Sequence, residues 1–299
     1  MELNKQSASN EKIWIKKKEQ VLEIGETAIL TWFSGNYGST MQAFALQRVL
    51  TELGYKNWII NYVPNYWEKF IFFCKSTERF KILKAKIENK KIKARFLTMN
   101  EIKLENKKFN EFYKKSLCLT EKFSVQKKMK ELNNRYHTFL CGSDQIWNPN
   151  YFKECNFLNF AVDSKRKIAY APSIGVAKLT EKQKRKMKPY LERFDRISVR
   201  ENTSKILLSS FVNKPIQVVC DPVLLLTKEQ WIKNMQLKKS NEVYILCYFL
   251  GDNPDYKQVI RQLNNYLNIN VKVIPTNLFG NTLGYETQKV VGPKEWLNL

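Results

Sequence analysis

Arg200 stands directly after a strand-like run, Asp195–Val199, and directly before Glu201-Asn202. An arginine at a strand's end, beside a helix amino end, presents a forked donor to a phosphate or a carboxylate. Two carboxylates occupy comparable places: Glu201 itself, and Asp144 within Gly142-Ser143-Asp144-Gln145. Such groups work as acid or base, or grip sugar hydroxyls. A third candidate is the polar loop Ser34–Thr40, with Asn36, Tyr37, Gly38 and Ser39, followed by Gln42. It leads into a helix whose open amino end bares N–H groups and a partial positive charge of about half a unit, which suits the same anions. Each candidate also has a plainly structural reading. Arg200 would pair with a neighbouring acid, Asp144 would cap the turn before Pro149, and Glu201 would favour a helix start. Asp221-Pro222 reads mainly as a turn. Ser143 and Ser173 have no partner histidine or aspartate legible in the sequence, so nucleophilic catalysis is unsupported.

The elements that must position these residues alternate. Strand-like runs occur at Thr27–Phe33, Asn57–Tyr62, Tyr136–Cys141, Lys167–Ala171, Asp195–Val199 and Gln217–Cys220, with helical patterns between most of them. That grammar predicts a parallel sheet covered on both faces. Ligands of such sheets bind beyond the carboxyl ends of the strands. Five loops fall there: those at Asn36, Gly142-Ser143-Asp144, Pro172-Ser173-Ile174-Gly175, Arg200-Glu201 and Asp221-Pro222. After the first strand, Ser39 as N-cap and Gln42 three residues on fit a capping box. Ala43, Leu46, Leu50 and Leu53 continue at helical spacing to Gly54. A second unit follows a linker, with strands at Glu242–Leu250 and Val271–Ile274, a helix at Asp255–Leu267, a third short strand at Lys289–Val291 and a last helix from Lys294. The expected organisation is a flexible leader at 1–26, a first domain at 27–226, a linker at 227–241 and a partial second domain at 242–299.

Composition narrows the class. The 299 residues are 43% hydrophobic and 13% aromatic, values of a folded protein. No run approaches the ~18 apolar residues of a membrane span. The amino end lacks the apolar core of a signal peptide, so the expected address is cytoplasmic. The six cysteines form no C-x-x-C pair and His137 is the single histidine, so no metal and no cofactor are expected. Cys141, Cys220 and Cys247 read as small buried hydrophobes. The net charge is +23, and the segment 69–130 carries 19 Lys/Arg against six Asp/Glu. That basic helical insertion, opened by Phe70-Ile71-Phe72-Phe73-Cys74, reads as a solvated face or as a seat for anionic lipid at the inner membrane face, at about 1 kcal/mol per lysine. Nucleic acid is not the expected partner.

The same residues carry a resemblance. Gly35-Asn36-Tyr37-Gly38-Ser39-Thr40-Met41-Gln42-Ala43-Phe44-Ala45-Leu46, Gly142-Ser143-Asp144-Gln145-Ile146-Trp147-Asn148, Tyr170-Ala171-Pro172-Ser173-Ile174-Gly175, Ser198-Val199-Arg200-Glu201 and Asp221-Pro222-Val223-Leu224-Leu225-Leu226 follow in that order. Together with Val291-Gly292-Pro293-Lys294-Glu295-Trp296, they resemble the polysaccharide pyruvyl transferase family. The resemblance implies an α/β fold of two Rossmann-like domains, similar to B-type glycosyltransferases, the second incomplete here. It implies transfer of a pyruvyl group from phosphoenolpyruvate to two hydroxyls of a saccharide or lipid-linked saccharide, closing a cyclic ketal. Asp144 and Glu201 are then the candidate catalytic groups; Asn36, Tyr37, Gly38, Ser39, Gln42, Ser143 and Arg200 are the candidate binding residues. The family continues past the point matching Leu299 into a strand and a Ser-Phe-His segment whose histidine is its catalytic acid. The isolated chain is therefore expected to turn over little. A nucleotide-sugar glycosyltransferase and a non-catalytic saccharide- or lipid-binding protein are the competing readings.

Overall fold

A computed structural model describes residues 25–74, 84, 87, 97–238, 240–249, 255–274 and 284–299. Most of the expected leader, and the basic segment at 75–83, 85–86 and 88–96, lie outside the described residues. The described residues fall into two compact units, one within Met1–Asn65 and Leu117–Leu226, the other within Tyr66–Ser116 and Thr227–Leu299.

The first unit is built on six parallel strands: β1 (Thr27–Leu30), β2 (Asn57–Ile59), β3 (Thr138–Cys141), β4 (Arg166–Ala169), β5 (Arg196–Val199) and β6 (Ile216–Val218). Their order is β2-β1-β3-β4-β5-β6. The chain thus runs outward from β1 to β2, then returns to lay β3 on the other flank of β1. β1 and β3 are in register from Thr27 opposite Thr138 to Leu30 opposite Cys141. Both strands are buried throughout, which explains their continuous apolar runs. The outer edge of β2 is not left bare. Ile59 N–H donates to Cys118, and Thr120 N–H donates to Ile59. Such cover blunts an edge that would otherwise invite another chain.

Helix α1 (Tyr37–Glu52) follows β1. It starts earlier than the capping-box reading places it. Asn36, not Ser39, is the N-cap: its backbone is extended and its side chain accepts from Ser39 N–H at 2.7 Å. We expect Asn36→Ala to lower stability by about 1 kcal/mol in a urea titration, since it strips one capped donor. No measurable change would show that this end is held by tertiary contacts alone.

The second unit contains α2 (Tyr66–Cys74), α3 (Met99–Ser116), and a three-stranded parallel sheet of β7 (Tyr244–Cys247), β8 (Asn270–Val273) and β9 (Glu286–Thr287). The third strand lies at Glu286–Thr287 rather than at Lys289–Val291. Cys247, Ile260, Val271 and Val273 form its small core. Thr98 and Glu101 cap α3 reciprocally, and Lys108 pairs at 2.9 Å with Glu295 of a short C-terminal helix, Pro293–Asn298. Among the described residues, no helix is long and apolar enough to cross a membrane.

Candidate active site

The loop after β3 is fixed from below by the core. Ile146 and Trp147 are fully buried. Trp147 stacks on Phe157 at 5.5 Å and 7°, meets Phe194 edge-on at 5.5 Å, and donates through Nε1 to the Asn156 carbonyl at 3.1 Å. Asn156 returns a hydrogen bond to the Ile146 carbonyl at 2.9 Å. Half of the Gly-Ser-Asp-Gln-Ile-Trp-Asn run is therefore an anchor, and its other half, Ser143-Asp144-Gln145, is what the anchor positions.

Asp144 adopts a left-handed backbone, φ 69°, a region that Asp and Asn tolerate better than most residues. The bend directs its two oxygens to different partners. Oδ1 accepts from Gln145 N–H at 2.7 Å, and Oδ2 accepts a short hydrogen bond from the Ser39 hydroxyl. Its own carbonyl accepts from Ser173 N–H at 2.8 Å. The loop after β1 and the loop after β3 are thus joined where the strand order reverses. In doubly wound sheets this switch point is where a crevice opens beyond the strand ends.

A second chain of bonds starts next door. The Ser143 hydroxyl donates at 2.9 Å to Oδ2 of Asp221, which also accepts from Arg200 Nη1 at 2.8 Å. Arg200 Nε donates to Glu201 at 3.0 Å, and Glu201 accepts in turn from the Ser204 hydroxyl at 2.9 Å. The Ser204 hydroxyl accepts from Ile174 N–H at 3.3 Å. All five loops expected beyond the strands are therefore linked by hydrogen bonds within the first unit. Gly175 completes the third of these loops at φ +64°, and a Cβ there would lie 2.7 Å from Gln145 Oε1. Glycine takes this backbone without strain and leaves Gln145 in place.

Electrostatically, Arg200 sits between two acids. Burial alone would depress its pKa, but the hydrogen bonds it donates to Asp221 and Glu201 outweigh that and hold it above the ordinary arginine value. The guanidinium is thereby oriented as well as charged. Among the described residues, its Nη2 makes no hydrogen bond, which leaves one prong of the fork available. The ion-pair reading and the anion-binding reading of Arg200 are compatible, because the two acids occupy only Nε and Nη1.

The remaining candidates divide. Asn36 and Gly38 are exposed at the mouth of α1. Gly35 precedes them at φ +102° with open space around it. Tyr37, Ser39 and Ser143 are buried. Gln42 is buried too, and its amide nitrogen donates to Thr31 Oγ1, the Trp32 carbonyl and the Ser39 carbonyl. It ties the end of β1 to the first turn of α1.

Sequence reasoning undervalued Asp221. Its Oδ1 does cap the turn, accepting from Val223 N–H at 3.1 Å, as Asp-Pro suggests. Its other oxygen joins Ser143 to Arg200. Cys220 also departs from expectation. It is exposed beyond β6, whereas Cys141 and Cys247 are buried. Burial pushes the Cys141 thiol well above the usual range. Among the described residues, no group of three His, Cys, Asp or Glu side chains is placed to hold a metal ion.

These features define an α/β protein with a polar, charge-paired cluster of loops at the carboxyl ends of a parallel sheet. The family model for polysaccharide pyruvyl transferase matches residues 36–299, and the chain belongs to that family. No curated protein matches the chain.

Proposed function

We propose that the protein transfers a pyruvyl group from phosphoenolpyruvate to two hydroxyls of a saccharide, or of a lipid-linked saccharide, that becomes part of a cell-surface polysaccharide. The observation that carries this reading is the bonded chain from Ser143 through Asp221 to Arg200, beside the Ser39–Asp144 link, in a chain of this family. On this reading the six-stranded and three-stranded parallel sheets belong to two Rossmann-like halves of the B-type glycosyltransferase kind. A phosphoenolpyruvate donor implies a cytoplasmic reaction.

In the proposed reaction, Arg200 Nη2 and the loop at Asn36–Ser39, at the amino end of α1, hold the donor's phosphate or carboxylate. Ser39 N–H is already given to Asn36, and the partial positive charge of the helix end favours an anion there. Protonation of the methylene carbon makes it a methyl group and leaves the adjacent carbon oxocarbenium-like. One sugar hydroxyl adds to that carbon, the C–O bond to phosphate breaks, and a second hydroxyl closes the ketal. Each hydroxyl gives up a proton: one balances the proton taken by carbon, the other leaves with phosphate or solvent. Asp144 grips the hydroxyl and receives its proton, and Glu201 is the second group able to exchange one. Such groups contribute about 10²- to 10⁴-fold each.

The test is donor choice. Thermal melting is followed with phosphoenolpyruvate, with a nucleotide sugar and with inorganic phosphate. A rise in melting temperature with phosphoenolpyruvate beyond that with phosphate is expected, at a size set by RT ln(1 + [L]/Kd). Stabilisation by the nucleotide sugar instead would move the chain to glycosyl transfer on the same scaffold.

A further inference from the structure

Two aromatic side chains stand beside the Asp144 loop, and the proposed donor chemistry uses neither. Trp32 lies two residues past the end of β1, and Tyr151 closes the short helical turn Pro149–Tyr151 that follows the β3 loop. Both are half-buried. Their rings meet at 5.8 Å with planes 89° apart, so they form a right-angled corner and not a flat stack. Trp32 is seated on the core of the first unit. Among the described residues, the Trp32 indole N–H and the Tyr151 hydroxyl make no hydrogen bond, and neither atom is sealed off from water.

Bonds on both sides tie this corner to the site. Before Trp32, the Thr31 hydroxyl donates to the Ser143 carbonyl at 3.3 Å. The Trp32 carbonyl accepts from Gln42 Nε2 at 2.6 Å, and the same amide donates to the Ser39 carbonyl at 2.9 Å. Tyr151 N–H donates to the Asn148 carbonyl at 3.0 Å, and Asn148 N–H donates to the Gln145 carbonyl at 3.0 Å. The two rings are thus carried by the same two loops that bring the Ser39 hydroxyl to Asp144.

The chemistry of the corner differs from that of Arg200. A phosphate or carboxylate gains nothing from a ring face, whose quadrupole is negative. A pyranose does. Its C–H bonds form a weakly positive patch that lies on a ring face, while its hydroxyls need donors and acceptors at the edge. Small-molecule sites combine apolar walls with a few placed polar groups in this way. Trp32 and Tyr151 supply the walls, an N–H and an O–H, and the Asp144 carboxylate on the adjoining loop supplies an acceptor. In a polysaccharide pyruvyl transferase the second reactant is a saccharide.

We infer that the corner of Trp32 and Tyr151 seats the acceptor saccharide and takes one pyranose ring by its C–H face. The inference rests on the proposed pyruvyl transfer for which reactant the corner serves.

The test is saturation-transfer NMR of the full chain with methyl β-D-galactopyranoside, one face of which is nearly all C–H, and separately with uridine, because a nucleobase also stacks on aromatic rings. Weak binding of the galactoside is expected, with the strongest saturation on that face. Trp32→Ala and Tyr151→Ala are each expected to weaken it by about tenfold, the size of one aromatic contact. Tyr151→Ala, at the end of a short turn, decides the matter if Trp32→Ala fails to fold. The Trp32 carbonyl survives substitution, so Gln42 still ties it to Ser39, and the melting shift with phosphoenolpyruvate is expected to persist in both variants. No binding of the galactoside by wild type, unchanged binding by Tyr151→Ala, or uridine bound in its place and lost in the same variants each overturns the inference. A shift with phosphoenolpyruvate alongside unchanged galactoside affinity in the variants removes the corner and leaves the donor reading standing. Galactoside affinity lost in the variants, with no shift by phosphoenolpyruvate, supports the corner and removes the donor reading.

Discussion

Replacing Arg200 by lysine is expected to weaken phosphoenolpyruvate binding by about 10- to 100-fold, measured by calorimetric titration. That range is the loss of one charge-assisted hydrogen bond of about 1.5–3 kcal/mol. Lysine keeps the positive charge near Asp221 and Glu201, so the fold is retained. It has no planar fork, so it cannot hold two acids and still present a third, fixed nitrogen to an anion. Alanine is the harsher change. It removes the same donor and also leaves the Asp221 and Glu201 carboxylates facing each other without a counter-charge, so stability is expected to fall together with affinity. The two variants separate binding from folding. If lysine binds the donor as tightly as wild type, Arg200 is only the tie between two acids, and the anion sits elsewhere. If lysine binds weakly but melts with wild type, the free prong is what the donor uses.

Why Arg200 was legible and Asp221 was not is a matter of what a local pattern can encode. An arginine just past a strand has few local uses, so its position points outward to a ligand or an acid. An aspartate before proline has a ready local use, and here it performs it: Oδ1 caps Val223. Nothing nearby in sequence signals that Oδ2 will meet Ser143, 78 residues away, and Arg200, 21 residues away. The same holds at the first loop. Asn36 and Ser39 each stand three residues before a residue they could cap, and the Ser39-Gln42 pair fits a capping box better. The choice between the two frames is made by Asp144, 105 residues on, which takes the Ser39 hydroxyl for itself. β1 and β3 were readable because burial on both faces leaves uninterrupted apolar runs. The strands come out shorter than the runs, since residues past Leu30 and Ala169 turn away into the loops that hold the candidate site residues. β9, with two residues, is too short for any periodicity to show.

Trp147→Ala is expected to destabilise the first unit by about 3–5 kcal/mol in a urea titration, the cost of emptying a closed aromatic site. The side chain is fully buried and filled on two sides, by the Phe157 stack and the Phe194 edge. A folded domain has only about 5–15 kcal/mol in reserve, so the variant gives up a large share of it. Trp147→Phe retains a ring against Phe157 and loses mainly the indole N–H bond, at about 1–2 kcal/mol. The consequence for function follows from chain geometry. Ser143 and Asp144 lie four and three residues before this anchor, which fixes that side of the loop together with Ile146. When the anchor is emptied, the Ser39–Asp144 and Ser143–Asp221 bonds lose their common support, and Arg200 loses the acid that orients Nη1. Donor affinity is therefore expected to fall in Trp147→Ala even at temperatures where the protein is still folded, and to be near wild type in Trp147→Phe. A folded alanine variant that binds phosphoenolpyruvate like wild type would mean that the site is held from the loops above it and not from the core beneath.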